Sequence, residues 1–250
     1  MLAKRLNDSA LGVLERPVLG WAAERLPAWV TPDQLTSIGF AGALAAAAGY
    51  VASRWSVQWL WLASAGLVLN WAGDSLDGTV ARLRRIERPR YGFFVDHTSD
   101  LFAQSAVFLA LGTSPCARLG IACLGLITFL IAFVYSLICL RVRNTLRITY
   151  FGFGPTEIRA LLVAGNLITV ACGLFDLGQW IMPFHPHEPV TIYELGIVLI
   201  CSLALPALLV LAVRESRDLA REDPTPALTE ALATQQDVQR GRWIPSTGPS

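Results

Sequence analysis

Four aspartates, Asp74, Asp77, Asp96 and Asp100, stand beside a cluster of arginines in the stretch "GDSLDGTVARLRRIERPRYGFFVDHTSD", which runs from Gly73 to Asp100. Asp74, Asp77, Gly78, Ala81 and Arg82 follow the i, i+3, i+4, i+7, i+8 spacing that places residues on one face of a helix. Gly92, Asp96 and Asp100 recur at every fourth position and share a face of a second helix. If the arginine-rich connection from Leu83 to Tyr91 reverses the chain, with Pro89 as a breaker inside the turn, the two acidic faces meet. Carboxylates crowded together repel one another and resist burial, so something positive must compensate them. A set made of oxygen ligands suits a hard cation such as Mg²⁺ or Mn²⁺, whereas zinc favours the His and Cys ligands that this cluster mostly lacks. Two divalent ions would balance the four carboxylates.

Gly78, Ala81 and Gly92 carry little or no side chain, which leaves room for a flat or bulky ligand beside the helix backbones. Arg82 offers a fork of donors to a phosphate. Taken singly, the small residues equally permit close helix packing in lipid, and Arg82 equally serves as a positive anchor at a membrane surface. The aspartates have no comparable structural explanation, because carboxylates in membrane helices are costly and mark function.

The elements that position these residues follow from composition. The 250-residue chain is 54% hydrophobic and 16% charged, with a mean hydropathy of +0.49, which excludes an ordinary soluble domain. Stretches of about 20 apolar residues, the length a bilayer requires, fall near Leu35 to Ser53, Val57 to Gly73, Phe93 to Gly112, Leu119 to Leu140, Ile158 to Leu177 and Ile192 to Val213. The expected fold is an all-α integral membrane protein with six transmembrane helices and an N-terminal amphipathic surface helix. Residues 1–31 form the juxtamembrane segment, interrupted at Pro17, and residues 32–214 the six-helix catalytic domain. Residues 215–250, rich in proline and polar residues, form a disordered cytoplasmic tail.

Orientation follows from the arginines. Arg84, Arg85, Arg88 and Arg90 lie between the second and third spans, Arg141, Arg143, Arg147 and Arg159 around the fourth-to-fifth connection, and Arg214, Arg217 and Arg221 after the sixth. On the opposite side Arg54 and Arg118 stand alone, so the aspartates face the cytoplasm. The five cysteines lie in or beside apolar spans without metal-type spacing and read as small buried hydrophobes. A net charge of +1 gives no reason to expect a nucleic-acid partner.

At the aspartates the sequence resembles the CDP-alcohol phosphotransferase (CDP-alcohol phosphatidyltransferase) family, whose signature is D-x2-D-G-x2-A-R, a spacer, then G-x3-D-x3-D. Every fixed position is present, with nine residues between Arg82 and Gly92. The resemblance implies that Asp74, Asp77 and Asp96 bind two Mg²⁺ or Mn²⁺ ions, that Asp100 completes the metal site and acts as general base, and that Gly78, Ala81, Arg82 and Gly92 line a CDP pocket. "TPDQLT" is similar to the family's P-N-x-x-T entry to the first span, with Asp33 in place of Asn. A nucleotide contact is therefore expected from Thr36 or Asp33. "GPTEIR", from Gly154 to Arg159, is similar to the segment that opens the family's fifth span.

The implied reaction moves a phosphatidyl group from CDP-diacylglycerol to the hydroxyl of a polar alcohol, with release of CMP. Arg159, Arg143 and Arg147 are candidates to bind a phosphorylated acceptor such as glycerol phosphate or inositol phosphate, although each equally serves as a topology signal. His97 in "VDHTSD", together with "GPTE", leaves open the branch that transfers phosphocholine or phosphoethanolamine to diacylglycerol. An ion-coupled transporter and an inactive scaffold are further alternatives; the first places carboxylates near the membrane midplane in broken, duplicated helices, and no duplication is seen here. Family resemblance also implies a homodimer surrounded by membrane lipid, in a bacterial inner membrane.

Overall fold

Thr31 opens the first long helix with a complete capping box. Its hydroxyl accepts from the Gln34 N–H at 3.2 Å, and the Gln34 side chain accepts from the Thr31 N–H at 2.8 Å, with Pro32 at the first helical position. In a computed structural model that describes residues 4–6, 12–143, 145–147, 154–172 and 190–223, with 235 and 239 singly, this helix is one of seven. They are α1 (Gly12–Arg25), α2 (Pro32–Ala52), α3 (Leu60–Leu83), α4 (Pro89–Gly112), α5 (Leu119–Arg143), α6 (Pro155–Cys172) and α7 (Ile192–Glu222). A short 3₁₀ turn, Val57–Trp59, precedes α3.

The helices reach further than hydropathy suggests. α3 runs past Gly73 to Leu83, and α4 begins at Pro89 rather than Phe93. Backbone hydrogen bonding does not stop where side chains become charged, and the extra turns carry the aspartates. Pro89 does not break the turn; it opens α4 at the first helical position, where its missing N–H costs nothing. α7 continues beyond Arg214 to Glu222, so the first residues assigned to a disordered tail are helical, and most of that tail lies outside the described residues. Pro17 lies inside α1 and does not interrupt it.

α1 also lacks a clean division into apolar and polar faces. Val18 and Trp21 are exposed beside exposed Arg16 and Glu24, while Ala23 is buried against Val30, Leu35 and Val80. Its partner among the described residues is α3, where the Trp71 indole donates to Glu15 Oε1 at 2.9 Å.

Three helices among the described residues, α2, α5 and α7, are long and apolar enough to cross a bilayer. That is fewer than the six expected. α3, α4 and α6 carry Asp74, Asp77 and Arg82, then Asp96 and Asp100, then Glu157 and Arg159, and these lower their apolar character. The fold is helical apart from one small feature that sequence did not suggest: Lys4–Leu6 and Thr145–Arg147 pair as parallel three-residue strands, β1 and β2.

The chain divides into two compact units, Met1–Leu205 and Pro206–Ser250. In the first, α2 and α3 pack backbone to backbone. A Cβ added at Gly66 would meet the Ala46 backbone at 2.4 Å, and one at Gly73 would meet Gly39 at 2.5 Å. Small residues allow this approach, as in other membrane helix pairs. Asn70 adds a hydrogen bond from Nδ2 to the Gly39 carbonyl at 3.0 Å.

Polar contacts join the helices at each end of this unit. At the aspartate end, the Arg84 guanidinium donates to the carbonyls of Leu26, Pro27, Ala28 and Val30 at 2.5–3.3 Å. Exposed Arg88 pairs with Asp33 at 2.5 Å, and this hydrogen bond raises the guanidinium's pKa above its usual value. At the far end Arg54 donates to the Thr113 carbonyl, and Arg118 pairs with buried Glu194 at 2.8 Å. The two arginines that looked isolated in sequence are therefore structural ties. The second unit holds the part of α7 from Pro206 to Glu222. Cys116, Cys123, Cys139 and Cys201 are free thiols; the Cys172 side chain lies outside the described residues.

Candidate metal and phosphate site

The acidic faces of α3 and α4 meet. One carboxylate oxygen each from Asp74, Asp96 and Asp100 lies within 4.8 Å of the others. Together with Thr36, Asn70 and Ser99, these aspartates line a small open cleft between α2, α3 and α4. Around a six-coordinate ion with metal–oxygen distances of about 2.1 Å, ligand oxygens spread to about 4.2 Å. The three carboxylates lie close to that span, and their all-oxygen chemistry fits Mg²⁺ or Mn²⁺.

Asp77 lies one turn further along α3 and is not among the three converging groups. Its carboxylate accepts from the Thr36 hydroxyl at 2.6 Å and from the Gly78 N–H at 2.5 Å. Thr36 is thus at the site through Asp77, and it also donates to the Pro32 carbonyl at 3.2 Å. The "TPDQLT" segment caps α2 and places this hydroxyl; Asp33 is turned to Arg88 instead.

The small residues of the motif do not serve helix packing. Among the described residues, a Cβ at Gly92 would meet nothing within 4 Å, and one at Gly78 would first meet the Arg82 guanidinium, at 3.1 Å. Close packing belongs to Gly39, Gly42, Gly49, Gly66 and Gly73. Ala81 is half-buried on the same helix, and Arg82 is exposed, with Nη2 donating to the Thr79 hydroxyl at 3.2 Å. Among the described residues nothing packs over Gly92, and the Arg82 guanidinium lies over Gly78.

Arg159 is brought directly to the aspartates. "GPTEIR" opens α6, where the Glu157 side chain accepts from the Gly154 N–H at 2.8 Å and so caps the helix. Two residues later the buried Arg159 donates from Nη1 to Asp74 Oδ2 at 2.7 Å, and its Nη2 lies 3.6 Å from Asp100 Oδ1. Arg143 ends α5 and Arg147 lies in β2, its backbone in register with Leu6. His97 stacks on Phe93 at 3.9 Å between ring centroids and lies 3.2 Å from Asp96 through Nδ1. Asn70 and Ser99 at the cleft were not picked out in sequence. Asn70 had a signal: a polar residue in an apolar run, one turn before Asp74.

Residues 29–187 match the family described as CDP-alcohol phosphatidyltransferase. The chain is similar to Cholinephosphotransferase 1 of Xenopus laevis, 29% identical over 212 residues, or 78% of this chain and 50% of that protein. It is similar to Cholinephosphotransferase 1 of Gallus gallus, 32% identical over 46% of this chain and 36% of that protein. It also resembles Phosphatidylinositol phosphate synthase of Cutibacterium acnes, 36% identical over 103 residues, 38% of this chain and 47% of that protein. The chain thus spans about half, or less, of the length of these relatives.

Proposed function

The chain belongs to the CDP-alcohol phosphatidyltransferase family, and from that premise we propose that it is an integral membrane enzyme moving a phosphatidyl group from CDP-diacylglycerol to the hydroxyl of a polar alcohol. The observation that supports this most is the convergence of Asp74, Asp96 and Asp100 to within 4.8 Å beside a buried arginine. Asp74, Asp77, Asp96 and Asp100 hold two Mg²⁺ or Mn²⁺ ions. When bound, these ions neutralise charge that develops on the diphosphate during transfer.

The chain's own residues do the rest. Gly78, Ala81 and Gly92 leave space for the CDP moiety, Thr36 steadies Asp77, and Arg82 faces the phosphate that leaves. Asp100 accepts the proton of the acceptor hydroxyl as general base. The hydroxyl oxygen bonds to the phosphorus that carries the diacylglycerol, the bond from that phosphorus to the CMP oxygen breaks, and CMP departs. Arg159, with Arg143 and Arg147 on the same side, is available to a phosphorylated acceptor.

In this reading α2 to α7 are the six spans, and the site lies at the cytoplasmic boundary of a bacterial inner membrane, within residues 32–214. There a polar diphosphate and two acyl chains can each meet their own solvent. α1 lies along the surface, residues 215–250 extend into the cytoplasm, and the protein is a homodimer. A second reading has its own support: the longest of these matches is to a cholinephosphotransferase, and His97 lies beside Asp96. In that reading a CDP-aminoalcohol is the donor and diacylglycerol the acceptor.

The test is CMP release by the purified protein with Mg²⁺ and CDP-diacylglycerol, across a panel of polar alcohols that includes phosphorylated ones. Turnover with one of them supports the first reading. Turnover only with CDP-choline or CDP-ethanolamine and diacylglycerol replaces it with the second. Ion uptake into proteoliposomes without nucleotide turnover would return the protein to the transporter class.

A further inference from the structure

Arg159 does not behave as a finished salt bridge. It is 4% exposed, yet its Nε and Nη2 have no hydrogen-bond partner among the described residues. Nη1 alone makes a close contact, 2.7 Å from Asp74 Oδ2, while Nη2 is turned toward Asp100 Oδ1 at 3.6 Å. Both aspartates line the cleft. A buried guanidinium ordinarily has its planar fork of donors matched by acceptors, so two idle donors here indicate an acceptor that the described residues do not supply.

Charge gives the direction of that acceptor. Asp74, Asp96 and Asp100 bring three negative charges together, and Arg159 answers one of them. Divalent cations seated on the same carboxylates would reverse the local balance. A buried guanidinium held against them would then be repelled at short range. The group is stable there only if it releases the carboxylates and faces an anion.

We propose that Arg159 and the divalent cations exchange places on Asp74 and Asp100, and that the released guanidinium fork binds a phosphate oxygen of the substrate. This rests on the metal-dependent reading above and gives Arg159 two linked roles. It compensates the carboxylates before metal arrives and binds phosphate afterwards. The phosphate belongs either to the CDP-linked donor or to a phosphorylated acceptor. Either source meets the same fork.

The exchange is read by titrating Mn²⁺ into chelator-stripped full-length protein without nucleotide, following free Mn²⁺ by electron paramagnetic resonance. Arg159→Gln should bind Mn²⁺ at least about 10-fold more tightly than the unsubstituted protein, because a competing charge is gone. At saturating Mn²⁺ the same variant should bind CDP or glycerol 3-phosphate about 10-fold or more weakly, and whichever weakens identifies the source of the phosphate. Arg159→Lys, with the charge but not the fork, should restore Mn²⁺ affinity towards that of the unsubstituted protein while leaving the anion weak.

A second arm needs no variant. Phenylglyoxal labelling of Arg159, read by mass spectrometry, should accelerate with Mn²⁺ and slow again when the anion is added. Unchanged or weaker Mn²⁺ binding by Arg159→Gln, or Mn²⁺ that leaves labelling unchanged or slows it, overturns the proposal. No saturable Mn²⁺ binding by the unsubstituted protein overturns both the exchange and the metal-dependent reading. Exchange without CMP release on any substrate upholds the exchange and overturns only the transferase reading.

Discussion

Asp100 faces two different neighbours, the carboxylates of Asp74 and Asp96 and the guanidinium of Arg159, and a proton acceptor in that setting has to be both ionised and accessible. Asp100→Asn keeps the shape and removes the charge. CMP release should fall by at least about 100-fold, the usual worth of a positioned general base. Thr36 acts at one remove, through its 2.6 Å hydrogen bond to Asp77. Thr36→Val should weaken Mn²⁺ binding by about 10-fold, as loss of a residue that orients a metal ligand commonly does; unchanged Mn²⁺ affinity would remove Thr36 from the site. The convergence of Asp74, Asp96 and Asp100 could be read from spacing, because helical periodicity is local. Arg159 could be placed on the right side but not against Asp74. That pairing joins residues 85 positions apart, and only the packing of α6 on α3 creates it.

At the level of elements, two kinds of glycine look alike in sequence and differ in structure. Gly73→Ala would place a Cβ 2.5 Å from Gly39 and push α2 from α3 just below Asp74. It should lower stability by about 1–3 kcal/mol, as overpacking does, and activity with it. Gly92→Ala meets open space and gains helix propensity, so it should hold stability or raise it by up to about 1 kcal/mol. If the open face receives the nucleotide, that variant still loses activity through a higher KM.

The end of α3 offers an independent check. Arg85 has φ 56°, with the Ile86 N–H on the Ala81 carbonyl at 3.0 Å and the Arg85 N–H on the Arg82 carbonyl at 3.2 Å, a Schellman cap that usually holds glycine. Arg85→Gly should stabilise by up to about 1 kcal/mol, and Arg85→Val should destabilise by about 1–2 kcal/mol, both measured by thermal unfolding in detergent. Neither this cap nor the true helix ends were legible from hydropathy, which falls at charged residues where the helix continues.

Over the whole molecule, the arginine distribution indicated which ends of the helices lie together. Arg84 on the Leu26–Val30 carbonyls, Arg88 on Asp33 and Arg159 on Asp74 all tie one end, while Arg54 and Arg118 tie the other. The number of spans was less legible: among the described residues only α2, α5 and α7 are long and apolar enough to cross a bilayer, and α3, α4 and α6 carry charged residues. A metal site shared by α3 and α4 should also hold the bundle together. Mn²⁺ at 100 times its dissociation constant should raise stability by about 2.7 kcal/mol, seen as a higher unfolding temperature that a chelator reverses.

The most direct measurement is the stoichiometry of Mn²⁺ binding to the full-length protein and to Asp96→Asn, both with CDP present. Two ions per chain, magnetically coupled and reduced to one or none in Asp96→Asn, are the expected result. Absence of saturable binding, or binding that Asp96→Asn leaves untouched, would contradict a metal site on the acidic faces of α3 and α4.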